Sequence, residues 1–88
     1  MALDLILWDP DDDPIGNVRH CAAHSVTKDE VAEVLDDPID IDVSRSSRQK
    51  IAFGETSAGR HLAVVFEEID SETVYPITAY DAPRRRHR

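Results

Sequence analysis

The stretch HSVTKDEVAEVLDDPIDIDV, His24 to Val43, holds two hydrophobic periods separated by one proline. Before Pro38, Val31, Val34 and Leu35 recur at helical spacing; after it, Ile39, Ile41 and Val43 alternate with aspartates. The first pattern predicts a helix with one apolar face, the second a half-buried strand. Thr27-Lys28-Asp29-Glu30 marks the helix start as a capping box. The Thr27 side chain can accept from the Glu30 amide while the Glu30 carboxylate reaches back to the Thr27 amide. Val26 and Val31 stand at the two positions of a hydrophobic staple, and acid in the first turn suits the helix dipole. Asp37-Pro38 ends the run, because proline disfavours helical geometry in the residue before it. The spacing predicts a helix over about 28–36 and then a strand.

Toward the C-terminus the alternation continues. QKIAFGET, HLAVVFEEI and TVYPITAY read as three further strands, joined by turns at Ser57-Ala58-Gly59-Arg60 and Asp70-Ser71-Glu72. Such short connections predict an antiparallel meander. Pro76 lacks a ladder donor, which places it at an edge or a bulge. Toward the N-terminus, LDLILW predicts a strand over 3–8. Ile15, Val18, Cys21 and Ala22 recur at helical spacing, predicting a helix over 15–23 with Cys21 a small buried residue on its apolar face. The expected architecture is α+β in the order β-α-α-β-β-β-β. Two helices pack on one twisted antiparallel sheet, residues 1–88 form a single domain, and a final helix is short or absent.

The 88 residues, 41% hydrophobic and 32% charged, suit one small globular domain rather than a disordered segment. A chain of this size buries only about 60–65% of the surface it exposes when unfolded. No apolar run approaches the ~20 residues needed to span a membrane. The opening MALDLILWD lacks the basic region of a signal peptide, so the simplest expected compartment is the cytoplasm, with no membrane partner. The lone Cys21 excludes an internal disulfide framework and a multi-cysteine zinc site. Asp9, Asp11 and Asp13 resemble the start of a calcium loop. Counting from Asp9, however, the sixth position is Pro14 where the turn needs glycine, and the twelfth is His20 where a carboxylate closes the site. The run reads as a polar connection between strand and helix, and neither metal nor cofactor is expected.

The net charge of −8 is unevenly spread. Acid gathers at Asp9–Asp13, Asp36–Asp42 and Glu67–Glu72; base gathers at Arg45, Arg48 and Lys50 and in the tail of Arg84, Arg85, Arg86 and Arg88. An acidic chain does not adhere to nucleic acid indiscriminately, whereas a local basic face can hold RNA.

The ordered set of Trp8-Asp9, Asn17, HSV at 24–26, DEVAEVLDDP, Arg45 and Arg48, GETSAGRHLAVVF and YPITAYDA resembles the BrnT-type toxin family. The resemblance spans Trp8 to about Arg88. It implies a RelE-like fold, a role as the mRNA-cleaving toxin of a bacterial type II toxin–antitoxin pair, and neutralisation by a small DNA-binding antitoxin. The family's histidine before the second helix matches His24, and its Gly-Arg before the third sheet strand matches Gly59-Arg60. Its arginine between helix and central strands is similar to Arg45 or Arg48. Its Ile-Ser/Thr-Ala-Arg motif corresponds to Ile77-Thr78-Ala79, with Tyr80 where an arginine usually sits. The basic helix that follows in the family is here DAPRRRHR, with Pro83 and Arg86 at positions expected to be helix-compatible and acidic.

Cleaving RNA at a 2′-hydroxyl needs a base, positive charge for the phosphorane and an acid for the leaving oxygen. Arg60, His24 and Tyr80 are the candidate catalytic residues, and Arg45, Arg48 and His61 the candidate substrate-binding residues. Tyr80 can serve only if neighbouring arginines lower its ordinary pKa of about 10. Each also has an ordinary structural role open to it: His24 capping or packed, Arg60 solvated in a turn, Tyr80 half-buried at a strand end. Three functions follow. They are an endoribonuclease held by an antitoxin, a toxin-derived binding module without chemistry, and a protein working through a homo-oligomeric interface.

Overall fold

The chain runs β1 (Leu5–Ile6), α1 (Asn17–Ala22), α2 (Lys28–Asp36), β2 (Asp40–Val43), β3 (Gln49–Glu55), β4 (His61–Glu68) and β5 (Thr73–Asp81). This is a computed structural model that describes residues 5–43 and 49–83. Arg45, Arg48, the arginines of 84–88 and any helix after Pro83 lie outside the described residues.

Helix α2 starts where its local chemistry requires. The Thr27 amide donates to the Glu30 carboxylate at 3.0 Å, and the Glu30 amide donates to the Thr27 hydroxyl at 3.2 Å. Each bond satisfies an amide that the first helical turn leaves without a partner. Val26 and Val31 are both buried, as the staple requires, and Val34 and Leu35 complete the buried stripe.

The sheet order is β1-β5-β4-β3-β2. Strands β2 to β5 form the expected antiparallel meander, but β1 joins β5 in parallel, with Leu5 beside Thr73 and Ile6 beside Val74. The sheet is therefore mixed, which corrects the all-antiparallel expectation. The reason is topological. From β1 the chain crosses the sheet face through both helices and enters at the far edge, so the side of β5 left open by the meander receives β1. The register of β4 and β5 shifts between Val65 and Phe66, with Pro76 opposite Phe66. Proline thus falls at an irregularity where its missing amide costs no ladder bond.

Both helices pack on one face. Cys21 of α1 and Val31, Val34 and Leu35 of α2 form one core with Ala52, Leu62, Val64, Phe66, Val74 and Ala79, which the registers place on the same side of the sheet. At the centre of this contact α2 comes so near β3 that a Cβ built on Gly54 would lie 3.1 Å from a Val34 methyl.

Helix α1 is shorter than the expected 15–23. Ile15 lies before it and is 79% exposed, not part of the apolar face. The Asp13 carboxylate accepts the Ile15 amide and holds that segment as a turn. The buried residue at the helix start is instead Asn17, whose side-chain amide donates to the Leu7 and Pro76 carbonyls, both at 2.9 Å. One helical turn on, the Cys21 sulfur accepts the Ala79 amide. Strand β1 reaches only Val74, and beyond it α1 supplies side-chain partners to the open edge of β5. Burial pushes the Cys21 thiol up, which makes it a poor nucleophile. Among the described residues no helix is long and apolar enough to cross a membrane.

Candidate functional site

Between β3 and β4 the chain turns at Thr56–Arg60. The Thr56 amide donates to the Arg60 carbonyl, the Gly59 amide to the Thr56 carbonyl, both at 2.9 Å, and the Arg60 amide to the Thr56 hydroxyl at 3.1 Å. Gly59 sits at φ 86°, a left-handed conformation that suits glycine. Closed in this way, the turn fixes Arg60 at the mouth of β4. Its side chain crosses the end of β5 and meets the start of α2.

There the guanidinium uses all its donors. Nε donates to Asp81 Oδ1 at 2.8 Å and Nη2 to Asp81 Oδ2 at 3.1 Å, a two-point bond of the kind that suits the planar fork. Nη1 donates to the Ser25 carbonyl at 2.6 Å and to both Glu30 oxygens at 3.1 and 3.2 Å; Nη2 also reaches the His24 carbonyl at 3.1 Å. Ser25 is the one described non-glycine residue at positive φ, 61°, and this conformation presents its carbonyl to the arginine. Arg60 thereby ties the β3–β4 turn, the end of β5, the α1–α2 turn and the cap of α2 into one corner. The Arg60 bond holds the Asp81 carboxyl below its usual range. Glu30 is held low first by the Thr27 amide and then by Arg60. Bonding to Asp81, and then to Glu30, raises Arg60 further above its already high value.

Two of the other candidates within the described residues gather at the same corner. His24 is exposed, and its ring meets that of Tyr80 edge to face, centroids 6.2 Å apart. Tyr80 is half-buried on β5. His61 opens β4 with Nε2 3.8 Å from a Glu55 carboxylate oxygen. The structure brings together Arg60, His24 and Tyr80, while His61 turns to Glu55; Arg45 and Arg48 lie outside the described residues. Glu30 and Asp81 escaped the sequence reading as members of this corner. Pairing β4 with β5 in register was the available signal, since it sets Leu62 opposite Asp81 and so brings Arg60 beside that carboxylate.

A second polar cluster secures the N-terminal loop. Asp9 accepts the Tyr75 hydroxyl at 2.5 Å and the Asn17 amide at 2.9 Å, and its own amide donates to Asn17 Oδ1. The Tyr75 bond, then the Asn17 amide, holds the Asp9 carboxyl low, while Asp9 pushes the Tyr75 phenol up to about 12. Asp11 pairs with Lys28 and Asp13 caps the turn before α1. The three aspartates therefore point to three separate partners. Among the described residues no group of three His, Cys, Asp or Glu side chains is arranged to hold a metal ion.

The described residues carry most of the acid and less than half of the base. They hold seventeen of the eighteen Asp and Glu but only four of the ten Lys and Arg. Those four, Arg19, Lys28, Lys50 and Arg60, each bond a carboxylate or carbonyl of the protein. No known protein family, characterised protein or solved structure matches this chain.

Proposed function

We propose that the chain is a toxin-like domain of the BrnT-type, RelE-like kind that acts by binding a partner protein and has lost RNA cleavage. The family assignment rests on the ordered sequence motifs, and the α+β arrangement of two helices on one sheet supports it. The loss of chemistry rests on one observation: every donor of Arg60 is engaged by Asp81, Glu30 and the carbonyls of residues 24 and 25. A phosphorane needs positive charge with donors free to meet it. At this corner a phosphate would meet Glu30 and Asp81 around a cation already neutralised. Tyr80, standing where the family carries an arginine, adds no charge. The expected partner is a small protein in the position of the antitoxin.

A second reading keeps the enzyme. The edge-to-face contact of His24 and Tyr80 places an imidazole and a phenol together at an accessible strand end, a pairing able to move protons. The two readings separate in one experiment. Purified protein incubated with a long transcript, beside induced expression in growing cells, should give neither cleavage nor arrest. Cleavage that disappears in a folded His24→Ala variant would overturn the binding-module reading in favour of the nuclease. A mass that rises with concentration would instead direct attention to a homo-oligomeric interface.

A further inference from the structure

Beyond its buried stripe, α2 carries a second face. Asp29 and Ala32, Asp29 and Glu33, Ala32 and Asp36, and Glu33 and Asp36 each stand three or four residues apart, the spacing that puts all four side chains on one face. With Leu35 and with Ile6 of β1 they line an open groove of about 520 Å³. Half-buried Ile6 and Ala32 give it apolar surface over the buried Leu35, and the charged residues that line it, Asp29, Glu33 and Asp36, are all acidic. Glu33 accepts the amide and hydroxyl of Ser57, while Asp29 and Asp36 enter none of the ion pairs among the described residues. Small Ala32 at the centre of the row allows another backbone to approach closely.

We propose that this groove docks a cationic amphipathic helix of a partner protein, lying along α2 with an apolar residue over Ala32 and lysines or arginines against Asp29, Glu33 and Asp36. The inference rests on the binding-module reading and names its surface and the chemistry of its partner. Charge complementarity selects the occupant. A nucleic acid or an anionic lipid surface would set negative charge against three carboxylates. A second copy of this chain would oppose the same acidic row to itself. The row from residue 29 to 36 rises about 10 Å along the axis, room for roughly two turns of a partner helix.

A synthetic leucine–lysine helix of about four turns is the probe, with a leucine–glutamate helix as control. Titrated into isotope-labelled protein, the cationic helix should move the amide signals of Ile6, Ala32 and Asp36 saturably, and the acidic helix should not. The double variant Asp29→Asn/Asp36→Asn, which leaves the Glu33–Ser57 contact in place, should bind roughly tenfold more weakly while keeping the fold, its melting temperature shifted only by the lost first-turn charge. Signals that move instead around Asp9–Asp13 or Glu67–Glu72, unchanged affinity in the double variant, or absence of binding would each overturn the groove. Those results leave the binding-module reading standing, because that reading is tested separately, by RNA cleavage, growth arrest and the concentration dependence of mass.

Discussion

Arg60 and Asp81 face each other across the ends of adjacent strands through two parallel hydrogen bonds, 2.8 and 3.1 Å long. The same guanidinium reaches α2 and the turn before it, so its loss would release three segments together. Arg60→Ala is expected to lower the melting temperature by more than Thr27→Ala, which breaks only one of the joined parts. Arg60→Lys should recover little of the loss, since an ammonium cannot reproduce the planar fork. A variant that melts like the parent would show that Arg60 is free for another task.

Acid should loosen both this corner and the Asp9 cluster of the N-terminal loop. Asp81, Glu30 and Asp9 are all held below the usual carboxylate range by the bonds they accept. The folded state binds these protons less readily than the unfolded chain. Their contribution is complete above the ordinary carboxylate pKa of about 4 and is lost as pH falls from there through the depressed values. Melting temperatures measured downward from about pH 7 should stay level and then fall below about pH 4. Asp81→Asn should make that fall shallower.

Alkali should act elsewhere. The Tyr75 phenol, raised to about 12 chiefly by its bond to Asp9, is held neutral in the fold. Its contribution is full below the ordinary tyrosine value of about 10 and is lost as pH rises through about 12. Phenolate absorbance compared between the parent and Tyr75→Phe isolates this group. A Tyr75 that titrates at the ordinary value would contradict the Asp9 bond.

The capping box gives a calibrated case. Thr27→Ala removes the acceptor of the Glu30 amide and should cost about 1 kcal/mol in denaturant unfolding. Thr27→Ser, which keeps the hydroxyl, should cost much less.

Gly54 tests the approach of helix and sheet. A single Cβ there already meets Val34 at 3.1 Å, so the branched side chain of Gly54→Val must push α2 outward. Overpacking of this kind costs about 1–3 kcal/mol. Combining it with Val34→Ala should return part of the loss, a coupling readable in a double-mutant cycle.

What the sequence disclosed was set by the distance between interacting residues. The cap of α2, its buried stripe and the alternation of β2 to β5 depend on neighbours or on short turns, and they were readable. The parallel pairing of Leu5 with Thr73 joins opposite ends of the chain and leaves no local trace. Ile15 had the right spacing for α1, but Asp13 takes its amide and Asn17 occupies the buried position. At the candidate site the residue types were legible and their gathering at one corner was not. The saturation of Arg60 least of all could be read, since its partners include two backbone carbonyls whose positions only the fold determines.

The placement of β1 has a bearing on how the molecule reaches its native state. Its ladder partner begins at Thr73, and the Tyr75–Asp9 bond spans 66 positions of chain. Local order can arise early in α2 and in the hairpins of the meander, where closing distances are short. The N-terminal strand has nothing to align with until the last strand has been made and has settled. On a ribosome, α1 and β1 would therefore wait undocked until β5 has emerged. Refolding in the test tube should show a late phase in which this edge closes, slower than helix formation because the entropy of joining distant segments must be overcome first.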